Sequence, residues 1–146
     1  MKPFSFALEP LLEYRSFELG KIERELSIKN GKLALLREEL EKNARETLRV
    51  GYERFQKSNT MEDMRSYENY SLKLTVQKEK LLKAIAMAEL ELEKIRAAWT
   101  EANKKKKVLE KLREKKYNSW KVEKNRIDTA VLDEFGSIMH ERSLNA

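Results

Sequence analysis

The chain has 146 residues, enough for one ordinary domain, with 40% apolar and 38% charged residues and a net charge of +6. It has 4 Gly, 2 Pro and no Cys, so neither a disulfide nor a thiolate metal site is available, which fits a cytosolic protein. Abundant Glu, Lys, Leu, Arg and Ala at heptad spacing is the composition of a coiled coil, which buries a stripe rather than a pocketed core and weighs against a small-molecule enzyme.

The opening residues Met1 to Phe6 lack the long apolar run of a signal peptide. Residues 1–7 read as a loose lead-in, and Pro10 suits the first turn of a helix. Helix one is expected over about 9–56. It carries Leu12, Leu19, Leu26, Leu33 and Leu40, each seven residues from the next, hence one stripe. Leu8, Ile22, Leu36 and Val50 fill the alternate positions, interrupted by Arg15, Lys29 and Asn43. Gly20 and Gly31 fall off the stripe, each weakening the helix by about 1 kcal/mol relative to Ala. A turn is expected at about 57–60, with Thr60 as N-cap and Asp63 three residues on.

Helix two is expected over about 61–140. Tyr67, Leu74, Leu81, Ala88, Ile95, Ala102 and Leu109 recur by sevens. Tyr70, Ala84, Ala98 and Leu112 take the alternate positions, interrupted by Gln77, Glu91 and Lys105. A second stripe, Ile85, Leu92 and Trp99, lies beside them and widens the apolar face. It either packs wide side chains of helix one or serves a partner. Tyr117, Trp120, Ile127, Val131, Leu132, Phe135 and Met139 carry an apolar face further on. The expected fold is all-α, a single coiled-coil domain built as a long two-helix antiparallel hairpin whose second helix overhangs the first. A short connection favours the hairpin; a parallel homodimer of long helices is the alternative.

Residues 100–126 hold eleven Lys and Arg against four Asp and Glu, so this block carries +7 and the remainder −1. Lys104 to Lys107 read as a solvated face whose stems cover apolar neighbours. The functional alternative is an anionic partner: nucleic acid, membrane headgroups or an acidic protein surface. Nucleic acid is not expected, because no base-reading fold accompanies the run. No stretch approaches the roughly 18–20 apolar residues of a membrane span. Gly20-Lys21 and Gly31-Lys32 lack the earlier Gly and the following Ser or Thr of a phosphate loop. His140 is the only histidine, and carboxylate pairs such as Glu38-Glu39 sit on a repetitive polar face. No catalytic, cofactor-binding or metal-binding residues are expected, and no cofactor.

Three stretches resemble the flagellar FliJ family of the type III export apparatus. They are Phe4, Phe6, Leu8, Leu11-Leu12, Arg15 and Glu18; Asn69-Tyr70 with Leu81-Leu82-Lys83-Ala84-Ile85; and Trp99, the basic block through Lys116, then Leu132-Asp133-Glu134-Phe135. The resemblance implies a stalk similar to the rotary ATPase gamma subunit. It would bind the hexameric export ATPase and promote its activity, engage the export gate protein FlhA and escort export chaperones. It would sit in the cytoplasm, peripheral to the inner face of the cell membrane through the export apparatus. The resemblance points to Leu11, Arg15, Glu18, Arg113, Lys116, Asp133, Glu134 and Phe135 for the ATPase ring. For the gate it points to Tyr70, Leu74, Leu81, Ala84 and Ala88; Gln77 departs from the family's large apolar residue and puts a contact there in doubt. The equivalent stalk of a virulence-type secretion system and a structural or basic coiled-coil adaptor are the alternatives.

Overall fold

The computed structural model describes residues 1–57 and 59–145. Helix α1 spans Glu9–Lys57 and helix α2 spans Met61–Leu144; there is no strand among the described residues. Pro10 lies in the first turn of α1, where its missing N–H breaks no helical bond. The Thr60 hydroxyl accepts the Asp63 N–H at 3.1 Å, and its carbonyl accepts the Met64 N–H at 3.2 Å, so Thr60 caps α2. Of the expected turn, Ser58 lies outside the described residues.

Contacts divide the chain into two compact units, one of Gly20–Thr100 and one joining Met1–Leu19 with Glu101–Ala146. Within the first, partners on α2 descend as α1 ascends. Trp99 Nε1 donates to Glu23 at 3.2 Å, Lys29 pairs with Glu91 at 2.9 Å, Arg37 with Glu89 at 3.1 Å and Arg54 with Glu68 at 2.9 Å. The two helices of one chain are therefore antiparallel neighbours, and the parallel homodimer is set aside. Exposed pairs of this kind contribute about 0–1 kcal/mol each, so stability must come from the seam.

Leu33, Ile85 and Leu92 form the core of this unit, with Leu26, Leu36, Leu40 and Ala88 packed against them. Leu92 and Val50 are the most completely enclosed side chains. The buried set on α2 is thus Leu74 and Leu81 together with Ile85 and Leu92. This corrects the expected alternates: Tyr70 and Ala98 are exposed and Ala84 is only half-buried. The wide second stripe faces α1 instead of standing free for a partner.

The polar interruptions of the two ladders meet each other. Asn43 is 4% exposed, and its amide donates to the Leu74 carbonyl at 3.0 Å and to Gln77 Oε1 at 3.3 Å. Lys29 and Glu91, one interruption from each helix, form the 2.9 Å ion pair. A buried amide is tolerated when bonded, and one polar residue at a seam position specifies register.

The second unit buries Leu12, Leu19 and Leu109. The loose lead-in expected from sequence is corrected: Phe6 is buried and Phe4 half-buried. The Glu9 N–H bonds the Phe6 carbonyl at 3.1 Å, joining lead-in to helix. The lead-in reaches Trp120 of α2, whereas residues 128–145 are all exposed.

Replacing Asn43 by Leu should leave thermal stability equal or higher, because an apolar side chain removes a polar burial cost. The same change should broaden the distance distribution between spin labels at positions 42 and 78, which is narrow in the unsubstituted protein. A destabilised variant that keeps a narrow distribution would show that Asn43 does not set register.

Candidate partner interface

In the unit that joins Met1–Leu19 with Glu101–Ala146, three rings meet. Phe4 stands edge-on to Tyr117 at 5.2 Å and lies 6.0 Å from Trp120, while Tyr117 and Trp120 stack at 5.8 Å. Centroid separations in this range are attractive for offset and edge-to-face pairs. The indole N–H of Trp120 donates to the Lys2 carbonyl at 3.0 Å. The Arg113 guanidinium lies 5.5 Å from the Phe4 centroid and its Nε bonds Glu9 at 2.8 Å, while Lys124 sits 5.3 Å from the Trp120 ring. Tyr117 and Trp120, which the sequence places on an apolar face of helix two, are here spent on holding the lead-in to α2.

The residues expected at an ATPase ring fall into separate places. Leu11, Arg15 and Glu18, spaced by four and three, share one face of α1; Leu11 is exposed and the other two half-buried. Arg113 is engaged by Glu9 and Phe4, and Lys116 is exposed. Asp133, Glu134 and Phe135 are exposed in the last turns of α2. At 1.5 Å per residue, Phe135 lies roughly 33 Å along the helix from Arg113, so these residues do not form one cluster.

The residues expected at an export gate belong to Gly20–Thr100. Leu74 and Leu81 are buried against α1 and Ala88 packs on the core, so a docked partner cannot reach them while the helices stay paired. Ala84 is half-buried. Tyr70 is exposed, and its hydroxyl donates to Glu46 Oε1 at 3.0 Å. Glu46 also takes a bond from Arg49, which reaches Glu53 at 2.8 Å. The Arg49 hydrogen bond holds the Glu46 carboxyl below its ordinary value, and the hydrogen bond to Glu46 pushes the Tyr70 phenol up.

Sequence reasoning missed the apolar side chains on the outer faces of this unit. Leu72 is 64% and Val76 44% exposed, and Leu48, Tyr52 and Phe55 are exposed on α1. A signal existed: Leu72 and Val76 are four apart and off the seven-residue ladder. No helix of the described residues is long and apolar enough to cross a membrane, and among them no cluster of His, Asp and Glu is arranged to hold a metal ion.

Paired helices that bury a seam and leave apolar side chains on outer faces define a coiled-coil protein. The chain belongs to the family described as Flagellar FliJ protein, which it matches over residues 4–145, nearly its whole length. It is a flagellar export-related coiled-coil protein. No curated protein and no solved structure matches it.

Two outcomes follow from this geometry. In a Trp99→Phe background, removing residues 1–5 should shift Trp120 emission to longer wavelength with little loss of helix signal, since the indole loses Phe4 and the Lys2 carbonyl. Unchanged emission would mean that the lead-in does not hold Trp120 in solution. The difference between the ultraviolet pH titrations of the unsubstituted protein and Tyr70→Phe should place the Tyr70 phenol above the usual value of about 10. Because the folded value is raised, its contribution to stability is complete below the unfolded value and is lost as pH rises through the folded one. Glu46→Gln should lower it again; an unmoved titration would remove the hydrogen bond from the account.

Proposed function

We propose that this chain is the stalk of the flagellar export apparatus. In this reading it binds the hexameric export ATPase, promotes its activity, links it to the export gate and escorts export chaperones. It acts through contacts and performs no catalysis, at the cytoplasmic face of the membrane.

The observation that carries this reading is the uncovered end of α2. Val131, Leu132, Phe135, Ile138 and Met139 are all exposed and recur at three- and four-residue spacing. Asp133 lies opposite this arc, and Glu134 and Glu141 border it on the Ile138 side. Such an amphipathic arc is the kind of surface a groove or pore receives. Phe135 is its central anchor, Asp133 and Glu134 supply the polar side of the same contact, and Leu11, Arg15, Glu18 and Lys116 offer a second, more polar one. Arg113 is better assigned to holding the lead-in.

For the gate, exposure favours Leu72 and Val76, which stand on the face of α2 turned away from α1, and Tyr70 on its own side of the helix. Leu74, Leu81, Ala84 and Ala88 then support the helix that presents them.

The test is ATP hydrolysis by the purified export ATPase across a concentration series of this protein. The triple variant Val131→Asp, Phe135→Asp and Ile138→Asp should keep its helix content, because these side chains pack on nothing. Its half-stimulating concentration should rise at least about tenfold, as loss of apolar anchors does at an interface. Stimulation equal to that of the unsubstituted protein would move the ring contact elsewhere, and none by either protein would overturn the stalk reading.

A further inference from the structure

We propose that the outer face of α2 between Lys104 and Val122 is a docking surface for an anionic phospholipid bilayer. Leu109 and Leu112 of this stretch are turned inward, and Lys106 is half-buried and pairs with Glu110 at 3.5 Å. The opposite side carries Lys104, Val108, Lys111 and Lys115, spaced by fours and threes, and Val122 two turns further on, with Lys107 beside them. All six are exposed. At 1.5 Å per residue the strip is about 27 Å long.

The charge on this strip is largely free. Lys104 has only a loose 3.7 Å pairing with Glu101, and Lys107, Lys111 and Lys115 form no ion pair among the described residues. The carboxylates Glu110 and Glu123 are engaged by Lys106 and Arg126, which leaves Glu114 as the acidic group within the strip. Val108 is 66% and Val122 68% exposed, so two apolar side chains stand among the lysines.

Three features choose a lipid surface over other anionic partners. The free cations are lysines, point charges on flexible stems, while the arginines of this stretch are committed to Glu9 and Glu123. Bidentate reading of bases or single phosphates favours arginine, whereas a diffuse surface potential needs only charge. The nearby rings that could stack on bases, Tyr117 and Trp120, are occupied by each other and by Phe4. A straight, one-sided strip with valines between snorkelling lysines matches a helix lying at the headgroup level. The inward side stays paired, so docking requires no unfolding.

The test is co-flotation of the full chain with vesicles of phosphatidylcholine mixed with phosphatidylglycerol, against vesicles of phosphatidylcholine alone. Binding should appear only on the mixed vesicles and fall with rising salt. Changing Lys104, Lys107, Lys111 and Lys115 together to Gln should weaken it at least about a hundredfold, given the per-lysine gain at an anionic surface. Changing Lys21, Lys32, Lys73 and Lys83 to Gln, with the same loss of net charge, should weaken it less than about tenfold. Circular dichroism confirms that both variants remain helical. Equal loss in both variants, equal binding to the neutral vesicles, or no binding to either would overturn the proposal. Tighter binding to duplex DNA than to the mixed vesicles at the same salt, through the same four lysines, would also overturn it and assign the strip to nucleic acid.

Discussion

Asn43 puts a carboxamide into an apolar seam, and inside that seam it must find its own hydrogen-bond partners. The Leu74 carbonyl and Gln77 supply them at 3.0 and 3.3 Å. A slip of seven residues, two turns, would set Tyr70 or Ala84 in place of Gln77 and cost the desolvation of an unsatisfied polar group, about 1–3 kcal/mol. Lys29 and Glu91 add a second match between polar interruptions. The apolar ladder alone is nearly degenerate under such a slip, because every seventh position looks alike. Register in Gly20–Thr100 therefore rests on the residues that break the pattern, and the choice of which side chains are buried follows from it.

Once register is set, the seam consumes Leu33, Ile85 and Leu92 and turns other apolar residues outward. Leu72 and Val76 are left on the outside of α2, and Leu48, Tyr52 and Phe55 on the outside of α1. In the other unit the lead-in plays a comparable part. Phe4 inserts between Arg113 and the Tyr117–Trp120 stack, so a segment with no regular structure fixes the environment of α2 up to Trp120. Beyond residue 127 nothing covers the helix, and its apolar arc stays available. Burial thus decides function here by subtraction, since a partner can grip only what the pairing does not use.

Charge follows the same logic. The net +6 of the chain is concentrated in one stretch of α2, and the free part of it points away from the seam. Paired helices that expose such a face interact by electrostatics over several ångströms before any close contact forms. The Arg49–Glu46–Tyr70 chain works at shorter range, tying the exposed Tyr70 ring to α1.

Several features were determined by sequence alone. Seven-residue spacing of Leu12 to Leu40 and of Tyr67 to Leu109 requires two helices with one sticky stripe each, and Thr60 with Asp63 marks where the second begins. The order of stretches such as Leu132-Asp133-Glu134-Phe135 was enough to indicate the family that the chain matches over residues 4–145. Only the tertiary structure decided which of the two stripes beside the α2 ladder faces α1. Spacing fixes the angle between side chains around one helix, but the direction in which a neighbour lies depends on that neighbour's own side chains. Tyr70 and Ala98 therefore read as seam and prove exposed, while Ile85 and Leu92 read equally as packing for helix one or as a partner surface and prove central. The lead-in was illegible for a related reason: Phe4 and Lys2 carry no periodicity, and their partners Tyr117 and Trp120 lie more than a hundred residues away in the chain. Contacts that distant in sequence leave no local pattern, and only the folded chain brings them together.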